Sequence, residues 1–384
     1  MIPPEQLIPV YETRFGSLQQ AEYYFSPGRV NLIGEHIDYN GGYVMPAAIS
    51  LGVTAVFQPD EQHQLKIYSK DFDEEITVNL ETLASQEGTY QWPLYVIGTL
   101  KKVRDRQLPL RGGKIVMASD LPPGAGLSSS AALECLIAYI MAPEYYDRER
   151  THLALDAQRA EREEIGMQCG IMDQYAVAYG KKDQALLLDC SALEHEYLPA
   201  DFKDFQLVII NTNHPRTLAD SRYNERRAEC ERALAILNRF DPAEHLANAH
   251  EISVGYLEDD TLYFRAKHVV TEQQRVLAAF DALKLGRLDY FGDLLWASHQ
   301  SLDEDYEVAG DALNCIVHYA GKFKGCIGAR MTGAGFGGCA IALVEKASVK
   351  RFCDYVGRKY ETGMGRKADF YMADISDGVH RLKG

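Results

Sequence analysis

The chain has 384 residues, 46% of them hydrophobic and 25% charged, with a formal net charge of −15. That length exceeds one typical core of ~100–200 residues, so two domains sharing a cleft are expected. The acidic balance argues against a nucleic-acid binder, whose target needs a basic face, and requires any anionic ligand to be held by local donors and metal.

The start lacks the basic segment and apolar stretch of a secretion signal. Residues up to about Tyr24 read as a short helix and turn entering a strand. Residues 26–42 (SPGRVNLIGEHIDYNGG) then pack charged and polar side chains between glycines, a poor recipe for a core strand or an amphipathic helix. Glu35, His36 and Asp38 are crowded together there. Three readings stay open for them: a solvated surface loop, a metal site, or polar groups facing a hydroxyl-rich ligand. Metal is the weaker idea, because the separated ligand pairs of a zinc centre are missing. Residues 52–57 and 64–68 have the alternation and β-branched content of strands, and Ser69 follows the second. A helix is expected over 92–103, where Trp92 and Tyr95 fit either a core or the flanks of an adenine ring.

Residues 114–118 read as a strand, and 121–133 (LPPGAGLSSSAAL) lead from it into an apolar helix. Gly124 and Gly126 can take backbone angles closed to other residues. Three serines fall at the expected helix start, where unpaired N–H groups and the dipole favour an anion. Hydroxyls there can cap the helix, reach a phosphate, or hold Mg²⁺. A phosphate cradle and an ordinary capped helix are both open readings. A long charged helix is expected over 143–165, most of its charges solvated. Asp173 is a lone carboxylate among apolar neighbours, costly to bury unless paired, with a helix cap after Gly170 as the alternative.

Strands at 184–188 and 206–210 follow, with a domain boundary near residue 200. Beyond it the chain reads as mainly helical, from Asp220 and over 262–283, 289–302 and 307–319. Residues 333–338 (GAGFGG) match G-x-G-x-x-G, but the strand-like run 339–344 follows where a dinucleotide site needs a helix. A glycine-rich turn between two strands fits instead. Residues 367–374 read as a last strand. No apolar run approaches the ~20 residues of a membrane span. The P-loop pattern and the protein-kinase catalytic set are also missing. Eight scattered cysteines, without a Cys-x-x-Cys pair, fit a reduced cytoplasmic setting.

Residues 28–39 (GRVNLIGEHIDY) resemble the signature of galactokinases. Residues 121–133 and 331–339 (MTGAGFGGC) resemble the second and third motifs of their superfamily, the galactokinase, homoserine kinase, mevalonate kinase and phosphomevalonate kinase (GHMP) group. The first motif is the more specific, and the three come in the family's order. The resemblance implies an α/β (α+β) fold of two GHMP kinase domains, 1–200 and 201–384, with the active site in the cleft between them. It implies transfer of the ATP γ-phosphoryl group to the anomeric hydroxyl of D-galactose. A kinase of N-acetylgalactosamine, arabinose or galacturonic acid, or a silent sugar- and ATP-sensing regulator, are the alternatives. By the same resemblance Asp173 is the general base and Arg29 its neighbour, while Glu35, His36, Asp38, Gly170 and Tyr223 bind sugar. Ser69 and the loop of Gly124, Ala125, Gly126, Leu127, Ser128, Ser129 and Ser130 hold the nucleotide, and Ser130 and Glu161 hold Mg²⁺. The expected partners are galactose and ATP, with no nucleic acid and no membrane.

Overall fold

The computed structural model describes residues 1–84, 91–214 and 219–383. The chain enters through α1 (Ile8–Phe15), β1 (Glu22–Asn31), the short β2 (Tyr43–Val44) and β3 (Pro46–Pro59). A hairpin of β4 (Gln64–Ser69) and β5 (Glu74–Asn79) precedes α2 (Trp92–Asp105). From β6 (Gly113–Ser119) the first glycine-rich turn leads into α3 (Ser129–Met141), then α4 (Pro143–Arg148), α5 (Arg150–Ala160) and α6 (Met172–Tyr179). The half closes with β7 (Gln184–Asp189) and β8 (Glu194–Pro199).

The second half starts at β9 (Phe205–Asn211) and continues through α7 (Ala219–Leu237), α8 (Glu251–Val254), α9 (Asp260–Lys284), α10 (Leu288–Glu304) and α11 (Gly310–Gly321). It ends with β10 (Cys326–Thr332), β11 (Cys339–Glu345), α12 (Val349–Met364), β12 (Asp369–Met372) and β13 (His380–Leu382).

Three sheets result, in the orders β13-β1-β3-β6-β4-β5, β10-β11-β9-β12 and β2-β7-β8. α3 is buried on nearly every face, as its apolar sequence requires, against β1 and β3 with α2, α5 and α6 around it. That burial fixes the helix whose first turn carries the serines. In the second half, α10 and α11 cover β10, and the buried run 339–344 makes β11 an interior strand.

Several elements depart from expectation. The polar stretch from Ser26 is not a loop at first: β1 runs through it to Asn31 and is buried there. Its polar side chains have partners inside, and the pairing with β3 shifts register between Pro27 and Arg29. The helix expected over 143–165 is broken at Glu149, and α5 ends in a π-helical turn, Glu161–Ile165, closed by Gly166 at φ 83°. β8 and α12 have no counterpart in the sequence reading. The expected last strand forms β12, yet β13 follows it and pairs with β1, Tyr23 opposite Leu382. The change of sheet between β8 and β9 lies near residue 200, but the chain's final strand returns to the first half. None of the eight cysteines is joined in a disulfide among the described residues. Among the described residues, no helix is long and apolar enough to cross a membrane.

Candidate active site

The turn from β6 into α3 has Gly124, Gly126 and Ser128 at φ 66°, 74° and 62°. Ser128 occupies the position that caps α3 but makes no side-chain cap, so the first N–H groups of the helix stay available. Its hydroxyl goes elsewhere, donating to Asp173 Oδ2 at 2.5 Å. Arg29 braces the same turn from β1: its backbone N–H donates to Leu127 O at 3.1 Å and Nη1 to Gly126 O at 2.8 Å. Gly28 lets the strand come this close, since a Cβ there would lie 2.5 Å from Leu127 O. Ala125 and Leu127 have buried side chains and serve the turn through their backbone.

Arg29 also grips Asp173 with a two-pronged contact, Nε to Oδ1 and Nη2 to Oδ2, each at 2.8 Å. Burial works against the guanidinium charge, but Asp173 and Glu35 outweigh it and raise the Arg29 pKa. Asp173 sits in the first turn of α6, does not cap it, and keeps its side chain 28% exposed toward the cleft.

Opposite lies the segment after β1. Glu35 is buried, its Oε1 accepting from Gly333 N at 2.6 Å and lying 3.5 Å from Arg330. His36 has Nε2 3.1 Å from Ala334 O, so that nitrogen donates, and Nδ1 2.9 Å from the Tyr39 hydroxyl, from which it accepts. Burial, then His268, lowers the His36 pKa to about 3, in keeping with this neutral ring. Tyr39 in turn meets the Tyr306 hydroxyl at 2.8 Å. The ring of Tyr223, on α7, lies 5.5 Å from that of His36 and 5.3 Å from that of Tyr39. Burial and the nearby Asp173 raise Asp38 to about 6. Gly170 is required by its neighbour: a Cβ there would lie 1.6 Å from Asp38 Oδ2.

Arg29, Asp173, Glu35, His36, Asp38, Gly170 and Tyr223 line one cavity of about 180 Å³ with Ser128, Ser129, Ser130 and Glu161, and with Gly333 and Ala334 of the third motif. A second cavity, of about 730 Å³, is lined by Ser69, Phe72, Trp92, Tyr95 and Leu133, and shares Ser129 and Ser130 with the first. Trp92 Nε1 donates to Glu74 at 2.6 Å, and its ring is parallel to Phe72 within 7° at 6.4 Å. Glu161, carried by the π-helical turn, accepts from Gln174 Nε2 at 2.6 Å. Burial and Asp173 push its pKa up to about 7, while Ser130 bonds to it and pulls the other way. One hydroxyl and one carboxylate beside a cleft suit Mg²⁺, which keeps most of its water. Among the described residues, no cluster of three or more His, Cys, Asp or Glu could hold a metal.

All predicted site residues therefore border the two joined cavities or brace their walls. Sequence reasoning missed Phe72, Tyr39, Tyr306, Arg330 and Gln174. Gln174 and Arg330 adjoin motif residues, but Phe72 stands alone in a polar turn with no signal.

A kinase of small molecules is the class that fold and cleft point to. The galactokinase galactose-binding signature matches residues 10–59, the GHMP kinase N-terminal domain 94–181 and the C-terminal domain 279–362. A galactokinase of Exiguobacterium sibiricum is 43% identical over 97% of both chains. One from Enterococcus faecalis is 44% identical over 94% of this chain and 95% of its own. The crystal structure of Lactococcus lactis galactokinase complexed with galactose superposes with a TM-score of 0.95 at 39% identity, covering 99% of this chain and 100% of that one. The chain belongs to the galactokinase family. Mevalonate kinase from Methanococcus jannaschii, 19% identical with a TM-score of 0.66, shares the fold.

Proposed function

We propose that the chain transfers the γ-phosphoryl group of ATP to the anomeric hydroxyl of D-galactose, giving galactose 1-phosphate and ADP. Family membership carries the ATP-dependent sugar-kinase activity. The observation that supports the assignment of roles is the Arg29–Asp173 pair, set between the serine-rich helix start and the Glu35–Asp38 segment.

Asp173 accepts the proton of the sugar O1. The O1 lone pair forms the new bond to the γ-phosphorus as the bond to the β,γ-bridging oxygen breaks, and that electron pair leaves with ADP. Charge in such a transfer is spread over the equatorial phosphoryl oxygens, so positioning and electrostatics do most of the catalysis. Arg29 holds Asp173 in place through its two-pronged contact and faces the moving group. Glu35, His36, Asp38, Gly170 and Tyr223 form the sugar wall, and Ser69 with the 124–130 turn holds the nucleotide. Ser130 and Glu161 would hold Mg²⁺, which when bound neutralises phosphate charge. Residues 1–200 and 201–384 are the two domains, with β13 returned to the first. Cysteines held as thiols rather than disulfides suit a reduced, cytoplasmic setting.

A coupled assay of ADP release over a panel of sugars tests the reading, with strong preference for galactose over glucose expected. A site built to pair each hydroxyl leaves polar groups unpaired by the wrong epimer, so equal rates with both sugars would refute the sugar wall. Asp173→Asn should lose at least ~10²-fold in kcat while still binding galactose, because that is the low end for a positioned base. Near-normal turnover would remove Asp173 from the mechanism.

A further inference from the structure

Behind the cleft lies a buried acid that the reaction above does not use. Glu134 follows Ser130 by one turn of α3, so both side chains share a face of the helix. It is fully buried, as is Gln174, the neighbour of Asp173 on α6. Gln174 Nε2 donates to Glu161 Oε2 at 2.6 Å and to Glu134 Oε2 at 3.3 Å. Both amide hydrogens are thus committed to carboxyl groups, while Glu134 Oε1 and Gln174 Oε1 have no partner.

Two acceptors cannot satisfy each other, and a buried acceptor left unpaired costs about 1–3 kcal/mol. One proton on Glu134 removes both deficits. A neutral carboxyl donates one O–H and accepts one N–H, which is what a primary amide offers in return. Burial raises the Glu134 pKa well above the carboxylate range, and Glu161 and Asp173 push the same way.

We propose that Glu134 is a positioning residue, a neutral acid closed on the Gln174 amide that turns the other amide N–H onto Glu161 and orients that carboxylate beside Ser130. This role rests on the assignment of Ser130 and Glu161 to Mg²⁺. Without the acid, Gln174 has nothing to hold its oxygen, and the N–H that fixes Glu161 is free to rotate away.

The test compares Glu134→Gln, Glu134→Ala and Glu161→Gln with the wild-type chain. Mn²⁺ binding in the presence of ADP is followed by electron paramagnetic resonance, and galactose affinity by calorimetry. Glutamine reproduces the acid–amide pair as an amide–amide pair, so Glu134→Gln is expected to keep Mn²⁺ affinity. Glu134→Ala is expected to weaken it ~10–100-fold, the usual effect of losing a partner behind a metal ligand, with galactose affinity unchanged. The infrared difference between wild type and Glu134→Gln is expected to contain a protonated-carboxyl C=O band, a readout that stands even if the alanine variant fails to fold. Loss of that band from expectation, equal damage in both Glu134 variants, or unchanged Mn²⁺ affinity in Glu134→Ala would each overturn the proposal. Unchanged affinity in Glu161→Gln would sink the metal assignment and the positioning role with it; the infrared band, recorded without metal, tells that failure apart from an ionised Glu134.

Discussion

Gly170 leaves no room for a side chain, because the space a Cβ would need is filled by the Asp38 carboxylate, 1.6 Å away. A Gly170→Ala substitution must therefore turn Asp38 aside or shift the start of α6. Displacements of about an ångström in a binding constellation can cost ~10²-fold, so galactose affinity should fall by about that factor. Nucleotide affinity should stay within a few-fold, since the second cavity lies beyond Ser129 and Ser130. Calorimetric titration of each ligand separates the two, and an unchanged galactose affinity would remove Asp38 from the sugar wall. At this scale the motif residues were legible, because polar groups packed between glycines make poor core and invite a ligand. The direction of Ser128 was not. Its left-handed backbone turns the hydroxyl onto Asp173, and nothing in a run of three serines distinguishes the one that does so.

β1 and the 121–133 turn behave as one unit, joined by two hydrogen bonds from Arg29 and by the close approach at Gly28. A Gly28→Ala side chain would meet Leu127 O and Leu121 Cδ2, each at 2.5 Å, and push the turn away from the strand. Overpacking of this kind costs about 1–3 kcal/mol. The variant should be destabilised by that amount in urea unfolding, and its KM for ATP should rise more than its KM for galactose. A loss of stability with both KM values unchanged would mean the turn does not hold the nucleotide. The strands at β3 and β4 and helices α2, α9 and α10 were legible from alternation and periodicity. The entry into β1 was legible too, but its continuation past Ser26 was not, because periodicity cannot show that Arg29 and Asn31 would find partners inside. β8 is half exposed and polar, and α12 carries Phe352, Val356 and Tyr360 at helical spacing left unassigned. The break at Glu149 and the π-helical turn that ends α5, where Glu161 is buried, are not reported by any propensity.

Across the whole molecule, a net charge of −15 opposes the binding of a triphosphate, so the cleft has to supply its own donors. The donors proposed for it all come from the first half, and the second half is held against that cleft by apolar packing and by buried polar contacts. Glu272 on α9 is the clearest: its Oε1 accepts from Gly34 N at 3.0 Å and from Ser298 Oγ at 2.6 Å, and its Oε2 from Arg275 Nε at 2.6 Å. Burial alone would raise its pKa, but Arg275, His268 and Arg330 outweigh that and bring it down from 4.5 to about 2. A depressed carboxyl stabilises the fold above its unfolded pKa, and the contribution is lost as pH falls through the folded value. Glu272 should therefore contribute in full above about pH 4.5 and lose its contribution between there and about pH 2. The shift corresponds to about 3 kcal/mol. Wild type and Glu272→Gln should differ by roughly that amount in urea unfolding at pH 7, and the gap should narrow steadily as the buffer is taken toward pH 3. Asp38, at about 6, and Glu161, at about 7, take up their protons above that window and do not oppose the trend. A gap that stays constant with pH would mean that the charge of Glu272 does not hold Gly34, and with it the segment after β1, to the second half.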